Sequence, residues 1–313
     1  MELTYGHKKV RGLVSYLFLF LATLAWSFVG VLVKTASNMV DSSIISFCRF
    51  FFGVIVLGIY LLMKDGKIQF RYRMKWLWFG AAGKSANYIF ENIALMIGYS
   101  YGNILVQPVQ TVILLFAGSV IFKEKVTRAG WLSAALCVIG VIVVGWNGVP
   151  LDKLMGSSGL TTVLFTLAGI GAAIHVLSQR MLVKTMDNGN MNFSVFLLAT
   201  LMVSIPIPFQ TQGFTGVSNV GAWSALVCLG VITGLSFFWF AEAMKRVPFT
   251  VVAIVGNSSV LFSILWAYIF FRDPITSYII IGTLIFVAGF LLLNFSGPRK
   301  KTVKQEESVE ATV

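Results

Sequence analysis

An all-α integral membrane protein of ten transmembrane helices, arranged as two inverted five-helix repeats, is the fold class this sequence predicts. Three observations carry the expectation: ten long apolar runs, basic residues gathered in alternate connections between them, and an internal repeat along the whole chain. The 313-residue chain is 57% hydrophobic and 12% charged. That leaves too little polar surface to cover a water-soluble globule of this size.

The apolar runs lie at 13–33, 44–63, 76–97, 102–122 and 130–146, then at 160–181, 191–209, 222–243, 248–271 and 278–295. Each approaches the roughly 20 residues a helix needs to cross about 30 Å of hydrocarbon. They are continuous blocks rather than ten-residue alternating strands, so helices and not a barrel satisfy the backbone in lipid. Lys8, Lys9 and Arg11 precede the first run as they would a secretory signal, but the run is longer than a signal core and lacks a small-residue cleavage pattern. It is expected to stay as the first helix. The predicted organisation is a cytoplasmic segment 1–12, a first repeat 13–146, an external linker 147–159, a second repeat 160–295 and a disordered cytoplasmic tail 296–313.

The formal charge is +12, and topology accounts for it without nucleic acid. With the amino terminus inside, the inner segments hold every basic residue except Lys34, Arg49, Lys84, Lys153 and Arg272, as the positive-inside rule requires. Both termini are therefore expected in the cytoplasm of a multi-pass protein of the cell membrane. Cys48, Cys137 and Cys228 lie far apart inside apolar runs and indicate packing residues, not a disulfide framework or a metal site.

A shift of 149 residues aligns Ala94 with Ala243, Val106 with Val255, Phe122 with Phe271, Lys123 with Arg272, Glu124 with Asp273, Thr127 with Thr276 and Gly140 with Gly289. Earlier in each half, a shift of 146 aligns Leu21 and Ala22 with Leu167 and Ala168, and Phe47 with Phe193. An odd number of spans per half makes the second half enter from the opposite side. Inverted halves suit a carrier, because they can exchange conformations around a central site.

With these residues the sequence resembles the EamA-like branch of the drug/metabolite transporter superfamily. The matching positions are Ala25-Trp26-Ser27 with Lys34, Arg49-Phe50, Ala94-Leu95, Pro108, the stretch from Phe122 to Thr127, and Gly140. The second half keeps Ala243, the stretch from Phe271 to Thr276, and Gly289. It departs in having Asn257 where the proline would recur and Val195 opposite Arg49. The resemblance covers nearly the whole chain and implies two five-helix repeats and transport of small solutes.

Ionisable groups at membrane depth are the first candidates for a site. Lys84, Asn87, Tyr88 and Glu91 stand at i, i+3, i+4 and i+7, one face of the third helix. Lys84 and Glu91 are about 10 Å apart along the axis, a span a bound zwitterion bridges. Alternatively, Lys84 snorkels to the headgroups while Glu91 pairs with another helix. Glu242, with Phe238 and Trp239 before it, offers a second carboxylate, so Glu91 and Glu242 are the proton-coupling candidates; a surface pair of Glu242 with Lys245 or Arg246 is the competing reading. His175 with Gln179, Gln107 and Gln110 around Pro108, and Asn257 with Ser258 are polar contacts for a solute or interhelical hydrogen bonds. Trp26, Trp239 and Trp266 are candidate apolar walls, whereas Trp76, Trp78 and Trp131 fit the bilayer interface. Gly80 to Gly83 and Ala168 to Ala173 mark close-packing seams.

The expectation is a secondary transporter of small organic metabolites, amino-acid-like or drug-like, working by alternating access in a direction the sequence does not reveal. A lipid-modifying membrane enzyme is the alternative, and a channel the next. Against an enzyme stand the lack of clustered metal ligands and of a phosphate-binding glycine loop; against a channel, the lack of a continuous polar ring. No catalytic residue, cofactor or metal is expected. The partners are a small-molecule solute and membrane lipids, not nucleic acid, and the sequence leaves a homodimer open.

Overall fold

The computed structural model describes residues 2–97, 106–124, 126–146, 148, 150, 159–205, 207, 219–272 and 276–296. Among them are twelve α-helices and no strand: α1 (Glu2–Ser27), α2 (Val29–Ala36), α3 (Ser42–Asp65), α4 (Lys75–Ile97), α5 (Val106–Val120), α6 (Arg128–Trp146), α7 (Gly159–Leu182), α8 (Asn188–Ser204), α9 (Val220–Met244), α10 (Phe249–Gly256), α11 (Ser259–Phe271) and α12 (Ser277–Ser296). The predicted linker and tail lie largely outside the described residues.

The helix ends follow local chemistry. Asp41 caps α3 by accepting from the amides of Ser43 and Ile44, and Asp187 caps α8 through Gly189 and Asn190. These two aspartates are 146 residues apart, the offset of the early repeat. Asp187 also explains why α8 starts before the apolar run predicted at 191: a capped first turn needs no apolar residues. Lys123 and Arg272 are the two non-glycine residues with positive φ among the described residues, at 52° and 58°, and they are separated by the later offset of 149. The left-handed turn that closes α5 recurs after α11.

Two apolar runs that predict single helices are broken. The first is interrupted at Phe28, where the carbonyl of Ser27 accepts from Ser263 Oγ at 3.2 Å and Ser27 Oγ accepts from Trp266 Nε1 at 2.8 Å. Trp266 also stacks on Phe28, so it braces the break. The run at 248–271 breaks between α10 and α11, where Ser258 and Ser259 hydroxyls donate to the carbonyls of Val255 and Gly256. Polar side chains thus satisfy backbone groups at both breaks, the condition for irregular backbone at membrane depth.

Four segments are by themselves long and apolar enough to cross a membrane: Leu13–Ala36, Ser42–Asp65, Val163–Leu182 and Val220–Met244. Shorter apolar helices occupy Val106–Val120, Arg128–Val144, Ile254–Phe270 and Ser277–Leu292. α4 falls outside both groups because Lys84, Asn87, Glu91 and Asn92 interrupt its apolar character. α3 shows how such a helix is arranged. Arg49, Phe50, Gly53 and Leu57 are buried while Phe51, Ile55, Ile59 and Leu62 point outward.

Packing joins the two halves more than it consolidates either one. The principal pairings are α4 with α7, α6 with α12, α3 with α9 and α8, α1 with α9, α5 with α7, and α4 with α8. Exchanging the halves, with α1–α2 and α10–α11 each taken as one rod, maps these pairings onto pairings that also occur. The seams rely on glycine. A Cβ on Gly83 would lie 2.8 Å from the carbonyl oxygen of Gly171, and one on Gly171 would lie 2.6 Å from that of Gly83. In the α6–α12 seam, a Cβ on Gly140 would meet Phe286 and the carbonyl of Gly282; one on Gly289 would meet Cys137 and the carbonyl of Ser133. The partners in this α6–α12 seam are related by the 149-residue shift, Gly140 to Gly289, Cys137 to Phe286 and Ser133 to Gly282. Lipid tails are as apolar as leucine, so close backbone approach, rather than apolar burial, holds such helices together.

Candidate functional site

The polar face predicted on the third helix points into the protein between α3, α7 and α9. Lys84 and Arg49 are each 6% exposed. The Lys84 ammonium lies 4.2 Å from the Tyr88 ring centroid and 4.5 Å from that of Phe237, so it is held between two aromatic faces and does not snorkel. It donates to Asn87 Oδ1 at 2.9 Å. The Asn87 amide in turn donates to the Ala168 carbonyl at 3.2 Å and to Glu91 Oε2 at 3.4 Å. Lysine and carboxylate on this face are therefore linked through an asparagine and not by a direct ion pair.

Arg49 enters from α3. Its guanidinium is 4.0 Å from the Tyr88 centroid and donates to the Tyr88 hydroxyl at 2.6 Å. Phe50, next in the chain, stacks on the same tyrosine at 4.9 Å. With both cations near one centroid, their separation is about 8 Å at most. At an effective dielectric of about 20 that corresponds to roughly 2 kcal/mol of repulsion or more. Among the described residues Lys64–Asp187, Arg180–Glu124 and Lys245–Glu242 form ion pairs, and none of these involves Arg49 or Lys84. Buried charges usually have an opposite charge beside them; these two have aromatic rings, a phenol and an amide.

His175 is fully buried on α7, with Nδ1 3.1 Å from the carbonyl of Gly80. A carbonyl only accepts, so Nδ1 carries a proton. Nε2 has no hydrogen-bond partner, nor do Trp26 Nε1 and Arg49 Nε. The Phe237 ring is the common neighbour, 5.0 Å from both the His175 and Trp26 rings. Trp26, Lys84, Asn87, Tyr88, Glu91 and His175 thus gather in one cluster with Arg49 and Phe237.

The other candidates lie elsewhere. Glu242 Oε2 accepts from Asn188 Nδ2 at 2.6 Å and from Lys245 Nζ at 2.8 Å, which engages it at the end of α9. Trp239 packs half-buried against the main core. Asn257 is buried and accepts from Thr111 Oγ1 at 2.9 Å, joining α10 to α5, while its Nδ2 has no partner. Gln107 and Gln110 are half-buried on α5 near this seam.

A second charged centre lies where several helix ends meet. Glu124 Oε1 accepts from Arg180 at 3.3 Å and from the amide of Phe249 at 3.0 Å. Arg180 also donates to the Met244 carbonyl and faces the rings of Phe122 and Phe249. One arginine thereby ties together the ends of α5, α7, α9 and α10. Periodicity gives no sign of this lock, nor of Phe237, one of 27 phenylalanines. Arg49 did carry a signal, as the one charged residue in its apolar run.

The EamA-like transporter family matches residues 13–146 and 159–295. The chain belongs to that family. It is similar to the pseudopaline exporter CntI of Pseudomonas aeruginosa, at 24% identity over 278 residues that cover 88% of this chain and 93% of the relative. It is also similar to the uncharacterized inner membrane transporter YhbE of Escherichia coli, at 22% identity covering 85% and 86% of the two chains. A protein known from a crystal structure has the same fold, with a TM-score of 0.78 at 16% identity over 91% of this chain and 98% of that one. This EamA-like chain is therefore an integral membrane protein of a transporter family, and the resemblance read from its motifs is borne out. Both curated relatives are named as transporter or exporter.

Proposed function

We propose that the protein is a secondary carrier that moves a small organic solute across the cell membrane by alternating access, its halves acting as inverted five-helix repeats. The observation that carries this reading is the buried cluster of Arg49, Lys84, Asn87, Tyr88, Glu91 and His175, enclosed by helices of both halves. Such groups are costly at membrane depth and mark a solute or proton path. Inverted repeats place their sites at the interface between the halves. Support for the repeat comes from the paired aspartate caps, the paired left-handed turns and the exchangeable helix pairings.

Alternating access requires a closure at each end. The Glu124–Arg180 lock serves as one, and the basic residues around it support a cytoplasmic position for that end. The repeat offsets carry Glu124 onto Asp273 and Arg180 onto Lys34, so an acid–base pair of the same kind is encoded for the opposite end. Glu91, half-buried within the cluster, is the carboxylate placed to couple protons to the solute. Glu242 is tied to Lys245 and serves the helix end.

A relative named as an exporter of pseudopaline supports a small organic cargo. The test is counterflow in proteoliposomes loaded with pools of unlabelled metabolites. Saturable exchange that is lost in Lys84→Gln is expected. Non-saturating flux that needs no solute on the far side would identify a pore and overturn the carrier.

A further inference from the structure

From two buried cations that share one tyrosine ring and have no carboxylate at ion-pair distance, we propose that the cluster takes its solute by a carboxylate seated between Arg49 and Lys84. This deepens the carrier reading and rests on that cluster being the transport site. A guanidinium is a donor-only cation with five N–H groups in a planar fork. In Arg49 the hydrogen bond to the Tyr88 hydroxyl uses one Nη, while Nε–H is buried without a partner. The unpartnered Nε–H can donate to one oxygen of a carboxylate, with Nη2 of the same edge already donating to Tyr88, and the Lys84 ammonium, a point charge within about 8 Å, attracts the same anion.

Charge selects among anions. With Arg49 and Lys84 protonated and Glu91 ionised, the cluster carries one positive charge over, and the chain from Lys84 to Glu91 passes through Asn87. One carboxylate neutralises that excess. A phosphate dianion overshoots it beside Glu91, and a cationic solute adds to it. The walls suit a small organic acid: the Phe237 and Tyr88 rings are apolar, and the unbonded indole N–H of Trp26 donates to a further oxygen. A solute with an ammonium group next to its carboxylate finds Glu91 on the same face of α4, so α-amino acids are within the class.

The test uses the purified full chain in lipid nanodiscs, with melting temperature read against rising ligand at constant ionic strength. The probes are L-leucine, L-glutamate and succinate, each beside its carboxamide, with sodium formate as the minimal carboxylate and sodium phosphate as a separate arm. At least one acid is expected to stabilise the protein at about tenfold lower concentration than its amide. Arg49→Gln should abolish the difference and Arg49→Lys should keep part of it. The acid–amide comparison on the unaltered protein needs no variant to fold. Equal response to acid and amide, no response to any carboxylate, or response to phosphate alone overturns the proposal. Saturable counterflow of a neutral or cationic solute without acid–amide discrimination leaves the carrier standing and removes the clamp. Acid selectivity in binding without counterflow of any solute leaves the clamp and removes the carrier.

Discussion

Tyr88 does two jobs that Phe50 and Phe237 cannot do together. Its ring faces both cations, a contact worth about 2 kcal/mol or more each when desolvated, and its hydroxyl accepts from Arg49. Tyr88→Phe keeps the ring and removes the acceptor, leaving a buried guanidinium without that hydrogen bond. A loss of about 1–3 kcal/mol is expected, read as a lower melting temperature in nanodiscs; an unchanged melting curve would show that the bond contributes nothing. Glu91→Gln preserves an oxygen for Asn87 and removes only the charge. Uptake should lose its dependence on external pH, whereas Glu242→Gln should leave it intact, because Glu242 is occupied by Asn188 and Lys245. The opposite pattern would move coupling to α9.

At the scale of elements, the seams between halves are made of backbone against backbone. Gly83 and Gly171 leave no room for a side chain across the α4–α7 seam, and this same seam sets Gly80 against His175. Valine at either glycine must push the helices apart, at about 1–3 kcal/mol or more for forced overpacking, and it should lower both melting temperature and yield. Gly30→Ala is the control. Its added Cβ meets nothing within 4 Å, so it should change stability by less than about 0.5 kcal/mol. If Gly83→Val melts like Gly30→Ala, the seam is looser than its geometry and the site beside it is not rigidly placed.

At the scale of the whole molecule, the proposed alternation of the two halves would re-pair contacts at the ends. The lock is partly shielded, with 15% and 19% of the Arg180 and Glu124 side chains exposed, so removing one partner strands the other charge. Val252, one turn into α10 from Phe249 and fully buried, can report opening as a cysteine in a background without the three native ones. Glu124→Gln should speed its modification by a water-soluble thiol reagent several-fold, and Asp273→Asn should slow it, because weakening one closure shifts population toward the state open at that end. Modification that quickens in both variants would indicate general loosening instead of exchange between two states.

Composition alone placed this protein in lipid, and the offsets of 146 and 149 announced a duplicated scaffold, because apolar length and self-similarity are properties of the chain that survive without coordinates. Spacing also put Lys84, Asn87, Tyr88 and Glu91 on one face, since i+3 and i+4 neighbours share a side of any helix. Spacing is silent about what that face meets. Tertiary structure decided that Arg49 joins Lys84 on one tyrosine, that His175 spends a proton on Gly80, that Glu242 is taken by Asn188 and Lys245, and that Arg180 binds four helix ends. It also broke two apolar runs at Phe28 and Ser258, where hydroxyls and an indole on neighbouring turns and helices supply the hydrogen bonds. Each of these depends on partners brought together by helix packing, and a buried polar group is defined by its partner more than by its own place in the sequence.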